Sequence, residues 1–191
     1  MAIRSFLAFE LPVDIKKIIM AVSEDVKQLP LDVRWVNVAN IHLTIVFMGD
    51  VQEEEIKPIQ EIVKGVCLGY GPFSIGIKGI GLFGNRRNPR VLWIGLDGAI
   101  GRMGYFRDNL QKKLRPFGIK EEKRRFKPHL TLGRFRKGAG AGTHLNDLLS
   151  KYHDLTSPEG IIEELVLFKS DLRPGGAVYS RLNGWSLTGK R

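Results

Sequence analysis

The chain lacks most of what usually builds a covalent or metallic centre. Of its 191 residues one is cysteine, Cys67. A single thiol excludes an internal disulfide and any cysteine-based metal cluster. No apolar run approaches the ~20 residues of a membrane-spanning helix. Residues 1–10 carry Arg4 and lack a long apolar stretch followed by small residues. No secretory leader is therefore expected, and the cytoplasm is the expected compartment. There is no Gly-x-Ser-x-Gly turn for a serine nucleophile, and no Gly-Lys-Ser/Thr loop to cradle the phosphates of ATP. Histidine and threonine are scarce as well, at four and five residues.

Against that scarcity one pattern occurs twice. His42-Leu43-Thr44-Ile45 and His129-Leu130-Thr131-Leu132 both read His, apolar, Thr, apolar. Chance seldom places one of five threonines two positions after one of four histidines, and here it happens twice. Both copies lie in apolar runs of strand character. Side chains two apart on a strand point to the same face. Each phrase therefore presents an imidazole and a hydroxyl together, while Leu43 and Ile45, or Leu130 and Leu132, turn to the opposite layer.

The composition is that of a globular protein, 43% apolar and 26% charged, with a net charge of +10. The positive charge is clustered. Residues 112–127 hold eight Lys or Arg against Glu121 and Glu122. Arg86, Arg87 and Arg90 form a second group, and Arg134, Arg136 and Lys137 a third. Such surfaces attract phosphate backbones.

Helical spacing predicts helices opening at Pro12 and Asp14 and again at 53–55, then over 100–114 and 145–149. Pro58 predicts a late start or a kink in the second. Strands are predicted over 4–9, 34–38, 41–48, 73–80, 91–96, 129–135, 161–170 and 177–187. A Gly- and Arg-rich loop is expected at 81–89, a flexible loop at 138–142 and a turn at 174–176. Few helices and strands adjacent in pairs predict an α+β fold with antiparallel sheets.

Two strands facing one cleft would offer two imidazoles and two hydroxyls to a phosphorus centre. A histidine pair can take a proton from water and give one to a leaving oxygen near neutral pH, without a metal. Other readings compete. A lone His-x-Thr on a strand is usually a buried imidazole bonded to backbone. His42, His129, His144 and His153 could bind a metal, but no pair has helical ligand spacing. Phe9, Phe47 and Phe83 are candidates to stack on a base, or are core residues.

The chain resembles the two-histidine phosphoesterases, and among them the RNA 2',3'-cyclic phosphodiesterases, also called 2'-5' RNA ligases (LigT-like). The resemblance runs nearly end to end. It is carried by residues 4–9, 34–36, 40–49, 81–83, 89–93, 126–134 and 170–179. The second signature, FKPHLTLGR, is the most specific; Met48 stands where Leu is more usual. The resemblance implies one bilobal domain over 1–191, with two similar lobes, helices outside and the cleft between. It implies opening of an RNA-terminal 2',3'-cyclic phosphate to a 2'-phosphate, with no cofactor and no metal. His42 would be the proton donor to the leaving 3' oxygen and His129 the proton acceptor, though sequence alone would allow the reverse. Thr44, Thr131 and Arg134 would bind phosphate oxygens. Weak reverse 2'-5' ligation would be possible. The implied partner is RNA with a cyclic phosphate end, tRNA fragments included, handled by a monomer away from membranes. Two alternatives stay open: a binding module of the same fold without chemistry, and a cyclic phosphodiesterase acting on a small nucleotide such as ADP-ribose cyclic phosphate.

Overall fold

In a computed structural model, residues 1–137, 142–174 and 176–190 are described. Most of the loop expected at 138–142, and Gly175 of the expected turn, lie outside them. β1 (Ala2–Phe9) leads into α1 (Val13–Lys27), with Pro12 as N-cap and Asp14 in the first turn. Ile15, Ile19, Val22 and Val26 form its buried stripe. β2 (Val33–Trp35) is short, and a 3-10 turn (Val38–Asn40) follows, capped by the Asn37 side chain. β3 (Leu43–Gln52) carries the first phrase into α2 (Glu53–Cys67).

The Glu55 carboxylate accepts the Gln52 N–H at 3.2 Å and so fixes the start of α2. The helix then runs on through Pro58, which settles where it begins. Pro in a helix interior costs about 3 kcal/mol. Ile59, Val63, Val66 and Cys67 on the same helix are buried, and each buried apolar side chain returns roughly 1.5–3 kcal/mol. Packing outweighs the lost backbone bond.

β4 (Phe73–Asn85) and β5 (Asn88–Gly98) form a long hairpin. The loop expected at 81–89 is therefore mostly strand, and the turn is Arg86-Arg87. Asn85 Oδ1 accepts the N–H groups of Arg87 and Asn88 at 3.0 and 2.8 Å. Gly84 sits at φ +96°, where a side chain would be strained. The glycines serve a tight reversal rather than a loose excursion.

α3 (Ile100–Leu114), β6 (His129–Phe135), α4 (Gly142–Lys151), β7 (Gly160–Ile162), β8 (Glu164–Arg173) and β9 (Gly176–Ser186) complete the order. The strand expected over 161–170 is divided at Glu163, because β7 and β8 join different sheets.

One sheet has the order β3-β1-β8-β9 and the other β2-β6-β5-β4-β7, and all pairs among the described residues are antiparallel. The fold is α+β. A single apolar core joins both sheets. At its centre Phe9 of β1 meets Phe73 of β4 and Phe106 of α3, with ring centroids 5.5 and 5.7 Å apart. Among the described residues no helix is long and apolar enough to cross a membrane.

Candidate active site

The two phrases are held by one backbone device used twice. His42 precedes β3 and places Nδ1 2.7 Å from the carbonyl oxygen of Asn40. His129 opens β6 and places Nδ1 2.8 Å from the carbonyl oxygen of Lys127. A carbonyl can only accept, so Nδ1 carries the proton and Nε2 is left as the working nitrogen of the neutral ring.

The segment that carries each carbonyl is anchored in turn. Asn40 donates its side-chain N–H to the Ala177 carbonyl on β9 at 2.9 Å. On the other side the anchor is Arg107 of α3, only 7% exposed. It donates to the Arg124 carbonyl at 3.3 Å, pairs with Asp108 at 2.6 Å, and lies 5.0 Å over the Phe126 ring. That arginine secures the segment leading to Lys127.

The register shows a second shared device. Ala8 pairs with Thr44 and Leu7 with Val46, so Ile45 is left over on β3. Trp93 pairs with Thr131 and Leu92 with Gly133, so Leu132 is left over on β6. Each phrase thus carries a β-bulge at its fourth residue. A bulge inserts one residue and reverses the alternation beyond it. Ile45 and Val46 are both buried, as are Leu132 and Gly133. Positions 42, 44 and 47 therefore share one face, and positions 129, 131 and 134 another.

Both faces open on one cleft of about 830 Å³. His42, Thr44, Phe47, His129, Thr131 and Arg134 all line it. Of the candidate stacking residues, Phe47 is 53% exposed and carries the Arg4 guanidinium 4.7 Å over its ring. Phe83 is half-buried and meets His129 edge-on at 4.7 Å. Phe9 is a correction. It is fully buried in the core between the sheets, so no base can reach it, and its place in the strand was set by apolar packing.

The wet surface of the cleft is basic. Among the described residues Arg4, Arg34, Arg134 and Arg173 line it and no Asp or Glu does, and of the basic clusters in the sequence only the one at Arg134 contributes. Arg124 instead pairs with Glu122, and Arg136 with Asp32. The sequence reading passed over Arg4, Arg34 and Arg173, although each is a lone cation in or beside an apolar strand segment. It also passed over Tyr179, whose ring stands edge-on to His42 at 5.2 Å.

Burial holds the His42 imidazole below its ordinary range, partly opposed by the Asn40 carbonyl. Burial likewise lowers His129; the Lys127 carbonyl opposes this, and the charge of Arg134 adds to it. Both rings therefore favour the neutral form. Phe6 stacks on His42 at 4.7 Å and 24° and covers one face of the ring. Cys67 offers no competing nucleophile, since burial pushes its thiol up to about 12.

The family described as LigT like Phosphoesterase matches residues 9–93 and 98–179, and each stretch holds one phrase. The RNA 2',3'-cyclic phosphodiesterase of Methanocaldococcus jannaschii is 34% identical over 182 residues, covering 95% of this chain and 99% of that protein. The RNA 2',3'-cyclic phosphodiesterase of Methanothermobacter thermautotrophicus is 30% identical over 187 residues, covering 98% of this chain and all of that protein. A crystal structure from Thermus thermophilus has the same fold, with a TM-score of 0.80 at 24% identity over 98% of this chain and 100% of its own. With the match spanning most of its length and both phrases inside it, the chain belongs to the LigT-like phosphoesterase family.

Proposed function

We propose that the chain hydrolyses the 2',3'-cyclic phosphate at an RNA end to a 2'-phosphate, using two histidines and no metal or ATP. The observation that carries this is the twin setting of His42 and His129. Each ring is tied through Nδ1 to a backbone carbonyl, and both line one arginine-rich cleft to which, among the described residues, no carboxylate contributes. The named activity of full-length relatives supports the same reading.

His129 Nε2 takes a proton from water as the water oxygen bonds to phosphorus. The bond from phosphorus to the 3' oxygen breaks, and His42 Nε2–H gives that oxygen its proton. The products are a free 3'-hydroxyl and a 2'-phosphate. Thr44 and Thr131 donate to the non-bridging oxygens, and Arg134 offsets the charge that grows on them. The electrostatics support this assignment of acid and base. Arg134 disfavours a proton on His129, as suits the acceptor. His42 takes its proton as the anionic phosphate enters. Both imidazoles come from one chain, so a monomer is a complete catalyst. Cleaved tRNA ends are within the substrate class.

The test is an oligonucleotide ending in a 2',3'-cyclic phosphate, with the position of the product phosphate read out. The parent chain is expected to give a 2'-phosphate in EDTA as well as without it. His42→Ala and His129→Ala should each lose ~10²–10⁴ in rate. Full activity in either variant, or a 3'-phosphate product, would overturn the reading.

A further inference from the structure

The bond to the Lys127 carbonyl holds His129 at Nδ1. One hydrogen bond fixes a point of the ring and leaves Nε2 free to swing about it. A displacement of about 1 Å at a reacting group can cost ~10²-fold in rate. A second contact must therefore set the plane of the imidazole, and the register points to it. The residue directly opposite His129 on β5 is Gly95, which offers no side chain. The space beside the ring is filled from the diagonal by Trp93, two residues along the same strand and so on the same face. Trp93 itself stands opposite Thr131 on β6 and Gly81 on β4.

Gly81 and Gly95 make the slot in which the indole lies. A Cβ on Gly81 would overlap Cζ2 and Cη2 of Trp93. One on Gly95 would lie 3.3 Å from Cζ3 of Trp93 and overlap the Lys78 carbonyl oxygen. Neither glycine has a positive φ, so close approach, and not backbone conformation, excludes a side chain there. The slot holds the indole against its neighbours. Trp93 and Phe83 have ring centroids 5.5 Å apart. Phe83 meets His129 at 4.7 Å and 86°, and Trp93 meets it at 6.5 Å and 63°. Neither is among the described residues that line the cleft, so both bear on the reaction only through His129. The indole N–H is buried and, among the described residues, has no hydrogen-bond partner. A buried unpaired donor is unfavourable, and a phenylalanine would avoid it. What the position uses is the breadth of the indole, which reaches from Gly81 to Gly95.

We propose that Trp93, seated in the slot of Gly81 and Gly95 and flanked by Phe83, is a positioning residue that sets the plane of the His129 imidazole and so the aim of Nε2. Phe83 then serves the histidine rather than a base. The proposal rests on the phosphodiesterase reading and adds to it a residue that never touches the substrate.

The test uses the full chain and an oligonucleotide with a 2',3'-cyclic end. Trp93→Leu should lower kcat by about ten- to a hundredfold, with KM within about twofold of the parent. Trp93→Phe, the mildest change, should lose about threefold or more. Gly81→Ala keeps the indole but pushes it from its slot, and should cost about as much as Trp93→Leu. In the Trp93→Leu background the same alanine meets no indole, so it should cost less than about twofold further. Leu148→Ala, a buried truncation in α4 outside this ring cluster, should keep the parent kcat below its melting temperature. Nitrogen NMR reads the ring directly: Trp93→Leu and Gly81→Ala should shift and broaden the His129 Nε2 signal and leave His42 as in the parent. A kcat in Trp93→Leu within about twofold of the parent, equal costs of Gly81→Ala in both backgrounds, or an unchanged His129 signal would each overturn the proposal. Where Trp93→Leu or Gly81→Ala does not fold, Trp93→Phe carries the test: a lower kcat with a shifted His129 signal supports it, and parent values of both overturn it. If the parent turns over no cyclic-ended substrate, the phosphodiesterase reading fails, and the NMR comparison decides the positioning alone.

Discussion

β3 and β6 present their imidazoles alike and then diverge five residues on, where β3 has Phe47 and β6 has Arg134. Up to that point the settings match: a carbonyl two residues before the ring, a bulge at the fourth residue, and a phenylalanine ring 4.7 Å from the imidazole. Even the phenylalanines differ in attitude. Phe6 lies nearly parallel to His42, and Phe83 stands edge-on to His129 at 86°. The shared parts place two equivalent nitrogens, and the unshared parts give them different surroundings. The cation beside His129 favours its neutral form, which under the proposed mechanism suits the proton acceptor. The exposed ring of Phe47 on the other strand is, under the same proposal, a surface for the sugar and base of the substrate.

The sharpest way to break this division uses the leaving group. A substrate with sulfur in place of the 3' oxygen needs no proton donor, because a thiolate leaves unaided. It should restore most of the ~10²–10⁴ lost in His42→Ala and none of that lost in His129→Ala. Rescue of the His129 variant instead would exchange the two roles.

Next in size is Arg134→Met, expected to reduce kcat/KM by one to two orders of magnitude through the lost phosphate contact (about 1.5–3 kcal/mol). It should also move the pH profile. The acceptor must be neutral, so the acid limb of kcat/KM reports His129. Arg134 lowers that group, and removing it should carry the limb to higher pH. Phe47→Leu should leave the limb where it is. In the parent chain both groups are lowered, so the optimum of kcat/KM should lie below ~6.5, the ordinary imidazole value.

The anchors should separate by side. Asn40→Ala should loosen His42 alone, and Arg107→Met should loosen His129 alone. Each should cost about tenfold in kcat, as small misplacements of catalytic groups do. Nitrogen NMR of the neutral rings would check it, since the affected histidine should lose its preference for a proton on Nδ1. A change at both rings in either variant would show that the two halves are coupled through the core.

The smallest effect expected is on stability. Phe47→Ser should alter unfolding free energy by no more than about 0.5 kcal/mol, because the ring is exposed. Phe9→Ala is its counterpart and should cost ~3–5 kcal/mol in denaturant unfolding.

The contrast between Phe9 and Phe47 shows where reading along the chain stops. Both are phenylalanines on apolar strands, one at the end of β1 and one within β3, and as aromatics both could be read as base-stacking or as core residues. Only the packing of Phe73 and Phe106 against Phe9 sets them apart. The hairpin at 84–89 was hidden for a related reason, since glycines and arginines read as loop until their pairing across β4 and β5 is known. Helices were more legible. The stripe of Ile15, Ile19, Val22 and Val26 repeats within one segment and needs no distant partner to be seen.

What the residues settled by themselves was the candidate set, two imidazoles each with a hydroxyl two places on, and the α+β order of elements, because periods of two and 3.6 are local properties of the backbone. The tertiary structure decided which further side chains join them. Arg134 and Phe47 lie at odd offsets from their histidines, and simple alternation would send both away from the cleft. Bulges at Leu132 and Ile45 bring them back, and a bulge arises only when a strand is paired with its neighbour. Arg34 and Arg173 share the cleft for the same kind of reason: they belong to different sheets, brought together only where the sheets close on it.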